Sequence, residues 1–202
     1  GITQASNVSF IICTAPLLTT ILSLLFYKSE KASKGLIYGS LLALMGVGLI
    51  VFNGSFVLKI SPIGDLLTLL AALSWAFYSL IIKKMAGRYP TVFITRKIFF
   101  YGVLTILPAF LLHPLQPDAA VLLQPGVLFN LLFLAVLASL ICYVLWNVVL
   151  KQLGTVRASN YIYLNPLVTM IASSLILDEK ITLVALGGAA CIVCGVYWAE
   201  KK

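Results

Sequence analysis

Two stretches of this chain, about 150 residues apart, spell the same pattern. A repeated helix pair restricts the fold more than any other feature of the sequence. The first copy runs from Ala5-Ser6-Asn7 through Pro16-Leu17-Leu18-Thr19, an apolar run and Lys28-Ser29-Glu30 to Gly39 and Gly46. The second runs from Ala158-Ser159-Asn160 through Pro166-Leu167-Val168-Thr169, an apolar run and Asp178-Glu179-Lys180 to Gly188 and Gly195. In both, a glycine follows the glutamate by nine positions and another follows seven later. The proline pair is 150 apart, the glutamate and glycine pairs 149 and the Ala-Ser-Asn pair 153, so a few slipped residues separate the copies.

The solvent of this fold follows from the composition between these landmarks. The chain is 61% hydrophobic and only 10% charged, with a mean hydropathy of +1.08. A soluble domain carries about 25% charged residues, so lipid is the expected surrounding. Seven apolar runs are long enough to cross a bilayer: roughly 5–27, 35–53, 62–82, 92–112, 126–150, 158–177 and 182–199. In the fourth, the stretch from Ile98 is too short alone, and starting at Val92 places Arg96 and Lys97 inside the helix. Ser61-Pro62, followed by Asp65, reads as a helix start.

The cations give the orientation. The connections after runs one, three and five, with the C-terminal tail, hold twelve: Lys28, Lys31, Lys34, Lys83, Lys84, Arg88, Arg96, Lys97, Lys151, Arg157, Lys201 and Lys202. The opposite connections hold Lys59 and Lys180. That bias puts residue 1 outside and the C-terminus in the cytoplasm. It also explains the net charge of +8 as a topology signal, so no nucleic-acid partner is expected. Run one then travels inward and run six outward. The copies are inverted, an architecture of secondary transporters. Five helices fit in the repeat spacing. The expectation is an all-α membrane protein, a polytopic bundle with seven transmembrane helices of a ten-helix fold. Residues 1–55 would hold the last two helices of the first repeat and residues 56–202 the five helices of the second, with three helices before Gly1.

The sequence resembles EamA-type carriers of the drug/metabolite transporter superfamily. The matching parts are Gly64-Asp65, Leu73-Ser74-Trp75-Ala76-Phe77-Tyr78, Ala138 through Tyr143 with Trp146, Ala158-Ser159-Asn160, Pro166, Glu179-Lys180-Ile181-Thr182, Gly188 and Gly195-Val196. They occur in order over nearly the whole chain. The resemblance implies two inverted five-helix repeats and outward movement of amino acids, metabolites or drugs through a cavity between them. The first copy departs in having Lys28-Ser29 before Glu30 and no asparagine before Pro16.

Polar and aromatic residues within the runs are the candidate solute contacts, because buried amides and phenols in lipid need partners. They are Trp75, Tyr78, Tyr143, Trp146, Asn147, Asn160, Tyr163 and Asn165. Arg96 is added as a fork for a solute carboxylate, against the plainer role of a cation snorkelling to the headgroups. Trp75, Tyr78, Tyr143, Asn147 and Tyr163 are expected to face one central space. The competing reading of the aromatics is interfacial anchoring. Pro16 and Pro166 are helix-kink candidates, since each leaves the carbonyl four residues earlier, at Ile12 and Ile162, without its helical donor. Glu30 and Glu179 read as turn or cap residues. No carboxylate falls at mid-membrane.

No cofactor, metal or enzymatic chemistry is expected. The chain lacks H-E-x-x-H, G-x-S-x-G and P-loop patterns. Cys191 and Cys194 form C-x-x-C, but the only histidine, His113, lies at the edge of another run. The expected partners are the lipid bilayer and a small-molecule solute, with a homodimer left open. The expected location is the bacterial inner (plasma) membrane. Two other functions compete: a nucleotide-sugar or sugar-phosphate carrier, for which basic cavity residues are scarce, and a seven-helix receptor, which an inverted repeat disfavours.

Overall fold

A computed structural model of the chain describes residues 5–27, 33–52, 61–112, 119–176 and 181–201. Glu30, Asp118, Asp178 and Glu179 lie outside the described residues. The chain is all-α. In order it forms α1 (Ala5–Ile12), α2 (Ala15–Phe26), α3 (Lys34–Phe52), α4 (Pro62–Ala86), α5 (Thr91–Leu112), the short α6 (Ala119–Leu122) and α7 (Pro125–Leu132). A π-helical segment (Phe133–Ile141) then leads into α8 (Cys142–Leu153). α9 (Thr155–Asn160), a 3-10 turn (Tyr161–Leu164), α10 (Asn165–Ile176) and α11 (Leu183–Glu200) complete it.

Six of the resulting spans are long and apolar enough to cross a membrane: Asn7–Phe26, Lys34–Phe52, Pro62–Ala86, Thr91–Leu112, Pro125–Leu153 and Leu183–Glu200. The fourth apolar run is one helix from Thr91, so Arg96 and Lys97 do lie within it. The sixth run is helical from Thr155 to Ile176 but changes its winding twice. Pro166 cannot donate to the Ile162 carbonyl, and the chain tightens to 3-10 just before it. The first copy breaks at the matching place. α1 ends at Ile12, whose carbonyl Pro16 cannot serve, and Thr14 turns back onto Ile11 through its N–H (3.0 Å) and Oγ1 (2.6 Å). Helix starts are locally encoded. The Ser61 N–H donates to Asp65 Oδ2 (3.0 Å), and Thr182 Oγ1 accepts from the Ala185 N–H (3.1 Å).

The chain divides into two compact units, residues 1–81 with 154–202, and residues 82–153. This division cuts across the sequence boundary at 55/56, because the outer helix pair of each copy packs on that of the other. In the first unit α3 lies along α11. A Cβ placed on Gly39 would meet Gly195 O at 2.5 Å and Ala199 N at 2.5 Å, and one on Gly46 would meet Gly188 O at 2.5 Å. The backbones touch, as small residues permit in a membrane. Gly39 and Gly188 are equivalent in the repeat, as are Gly46 and Gly195. Each contact therefore maps onto the other when the copies are exchanged, the mark of a two-fold interface. Position numbers rise along α3 as they fall along α11, so the helices are antiparallel and the repeat is inverted. The core beside them joins Cys13, Ala43, Val47, Tyr163, Ile192 and Val196.

In the second unit α5 and α8 are also antiparallel. Asn147 Nδ2 donates to Thr95 Oγ1 (2.9 Å), and one turn further the Tyr143 and Phe99 rings meet at 5.4 Å.

Candidate functional site

Hydroxyls inside these helices mostly satisfy themselves. Thr19, Thr20, Thr68 and Thr95 each donate to the carbonyl four residues earlier, at 2.8 to 3.0 Å. This local bond removes the cost of a hydroxyl in an apolar medium. The helix break in the second copy is different. Ser159, Asn160 and Tyr163 are fully buried at 0% exposure. Yet Ser159 Oγ, Asn160 Nδ2 and Tyr163 OH have no hydrogen-bond partner among the described residues. Only the amide oxygen of Asn160 is engaged, by Ser40 Oγ of α3 at 3.3 Å. The Tyr163 hydroxyl lies near Ser40 and Cys13 without reaching hydrogen-bond geometry to either.

Cys13 and Tyr163 are repeat equivalents, each three residues before its proline. They meet in the core between the two broken helices. The inverted axis thus passes close to the breaks, and the polar groups without partners collect beside it. A buried polar group left alone costs about 1–3 kcal/mol, so this cluster is an energetic liability within the fold. Pro16 and Pro166 are both buried beside it, while Asn165 is exposed on the outer side of the turn.

α4 brings two more sequence-selected residues to the first unit. Trp75 and Tyr78 are half-buried, with ring centroids 5.3 Å apart and planes tilted by 36°. The end of α4 is tied to both copies. Its Leu80 carbonyl accepts from Tyr27 OH (3.2 Å), and its Ser79 carbonyl from Thr155 Oγ1 (3.4 Å).

The remaining candidates lie in the second unit. Asn147 is buried against Thr95, and Tyr143 and Trp146 are half-buried on the same helix. Arg96 lines a pocket of about 480 Å³ between α5 and the π segment, together with Thr95, Phe99, Ser139 and Val144. Three participants escaped the sequence reading. Ser40 and Thr95 are small hydroxyl residues with nothing local to mark them, and each matters because of an amide on a distant helix. Cys13 sits in an apolar run with nothing local to mark it. The repeat offset of 150, applied to Tyr163, would have found it.

Inverted, broken helices enclosing polar groups in a polytopic apolar bundle define a membrane transporter. The profile of the EamA-like transporter family matches residues 62–199, and the chain belongs to that family. An uncharacterized transporter of Archaeoglobus fulgidus is 29% identical over 99% of this chain and 68% of its own length. A probable amino-acid metabolite efflux pump of Salmonella typhimurium is 29% identical over 85% of this chain and 60% of its own. Its Escherichia coli counterpart of the same name is 26% identical over 88% and 62%. The chain thus spans between 60% and 68% of the length of these relatives. One solved crystal structure, 18% identical, shares the fold with a TM-score of 0.80 over 98% of this chain and 68% of its own.

Proposed function

We propose that the chain forms part of an exporter of small amino-acid-like or amphipathic metabolites that works by alternating access. The carrying observation is the cluster beside the two helix breaks, where Ser159, Asn160 and Tyr163 keep polar atoms that have no partner among the described residues. A solute amine, carboxylate or hydroxyl supplies those bonds. The breaks allow the two inverted copies to rock about the contact of Cys13 with Tyr163. Two relatives named as probable amino-acid metabolite efflux pumps support the substrate class. Trp75 and Tyr78 offer aromatic surface for the solute's apolar part.

The test is flux of a panel of amino acids and neutral amphiphiles through the full chain in liposomes. Tyr163→Phe should lower flux at least ten-fold. A panel with no transported solute, or a Tyr163→Phe variant that transports like wild type, would overturn the reading. The orientation is part of the same proposal: the bacterial inner membrane, with the connection after α4 and the C-terminus cytoplasmic. In a background without native cysteines, Gly87→Cys should be labelled from the cytoplasmic side and Gln124→Cys from outside. Both sites labelled from one side would refute it.

A further inference from the structure

The Arg96 pocket carries charge at one end only. It runs along α5 from Val92 to Phe99, about 10 Å at helical rise. Arg96 lies about 7.5 Å into the helix from Thr91. Beyond it the walls are Phe99, Ala135, Leu140 and Val144, with Ser139 the one hydroxyl on the π side. The slot exists because Ala135 and Ser139 are small and the π segment interrupts the regular helical packing. Two wall residues, Val92 and Leu140, are 67% and 51% exposed. The opening is therefore at the exposed side of the unit.

The electrostatics of this end are one-sided. Lys83, Lys84 and Arg88 precede α5, Arg96 and Lys97 follow its start, and Lys151 closes antiparallel α8. All six cations of residues 82–153 thus sit at one end of the unit. The only acid in that range, Asp118, is outside the described residues. Arg96 has no carboxylate partner among the described residues of the unit. Its guanidinium lies 5.5 Å from the centre of the Phe93 ring, and Lys97 lies 5.8 to 5.9 Å from Phe100 and Tyr101. Ring stacking leaves the edge of the Arg96 fork free for an oxyanion. Aromatic rings with basic residues mark the headgroup level of a bilayer, and basic pockets between spans bind anionic lipid heads.

We propose that this pocket is a site for an anionic glycerophospholipid, its phosphate on Arg96 and one acyl chain in the slot between α5 and the π segment. Bound there, the lipid fills a gap that protein side chains leave open and fastens the basic end of the unit to an anionic leaflet. This does not depend on what the carrier transports.

The test is native mass spectrometry of the full chain, purified in detergent and exposed to equal phosphatidylglycerol and phosphatidylcholine. Wild type should retain phosphatidylglycerol preferentially. Arg96→Gln should reduce that preference about five-fold, the worth of one basic residue at the surface. Arg96→Lys should keep most of it, since a phosphate accepts a point charge. Ser139→Leu, which fills the slot, should lower retention of both lipids. Should that variant misfold, the Arg96 pair decides alone. An unchanged preference in Arg96→Gln would overturn the proposal. So would equal competition by glycerol 3-phosphate, which has no chain. Leucine that binds wild type but not Arg96→Gln, with lipid retention unaltered, would assign the pocket to a solute instead.

Discussion

The helix pair α3–α11 and the helix pair α5–α8 are both antiparallel and similarly apolar, yet they meet in different ways. The span containing α3 has a hydropathy of 2.2 and the span containing α8 one of 2.6. In the most apolar 18 residues of each helix, 44% are buried in α3 and 33% in α11, but only 11% in α5. Glycines make the difference. Gly39, Gly46, Gly188 and Gly195 bring α3 and α11 into backbone contact, while Gly102 of α5 and Gly126 of α7 have nothing within 4 Å of a would-be Cβ. In lipid, apolarity is no reason for two helices to associate. Close van der Waals contact is, and small residues provide it. The α5–α8 pair is joined instead by contacts that include a buried amide–hydroxyl bond and an aromatic contact, and leaves a slot.

The sharpest way to break this comparison is to put the same methyl group on both surfaces. Gly46→Ala should destabilise the protein by about 1–3 kcal/mol, the cost of overpacking a close contact. Gly102→Ala should be neutral or stabilise by up to about 1 kcal/mol, because alanine favours the helix. Thermal unfolding in detergent reads both. Equal shifts would mean that the glycine contacts do not hold α3 to α11.

A second experiment separates stability from function within the first unit. Tyr163→Phe deletes a buried hydroxyl that bonds nothing among the described residues. Its melting temperature should therefore equal or exceed that of wild type, while flux falls. A drop in melting temperature parallel to the drop in flux would make Tyr163 a structural residue.

The smallest effect belongs to the second unit. A double-mutant cycle of Thr95→Val and Asn147→Leu should give a coupling of about 0.6 kcal/mol, typical of hydrogen bonds between membrane helices. No measurable coupling would leave the Tyr143–Phe99 contact as the main tie between α5 and α8.

Much of this molecule was legible before any coordinates. The inverted repeat could be read because equal spacings of Glu, Gly and Pro along the chain are covalent facts, and because alternating cation counts give the direction of each span. The helix start at Ser61 and a kink where Pro16 leaves the Ile12 carbonyl free could be read because a cap and a proline act within four residues; that the helix ends there could not. The length of α5 followed from bilayer thickness, which required Arg96 inside the span. Partnership across the bundle could not be read. Ser40 reaches Asn160 over 120 residues, and Thr95 reaches Asn147 over 52. Nothing in the sequence separates these two from hydroxyls that bond only their own helix, and Thr95 also donates to Thr91 O.

By itself, then, the sequence determined an all-α inverted membrane fold, where its helices start and where two of them kink. Only the tertiary structure decided that Gly39 faces Gly195, that Cys13 meets Tyr163 with the buried Ser159 and Asn160 beside them, and that α5 and the π segment stand apart. The physical reason is that hydropathy reports the solvent of a segment. A lipid tail and a leucine of a neighbouring helix are equally good neighbours for an apolar side chain. Which one a span receives depends on shapes that meet only after folding.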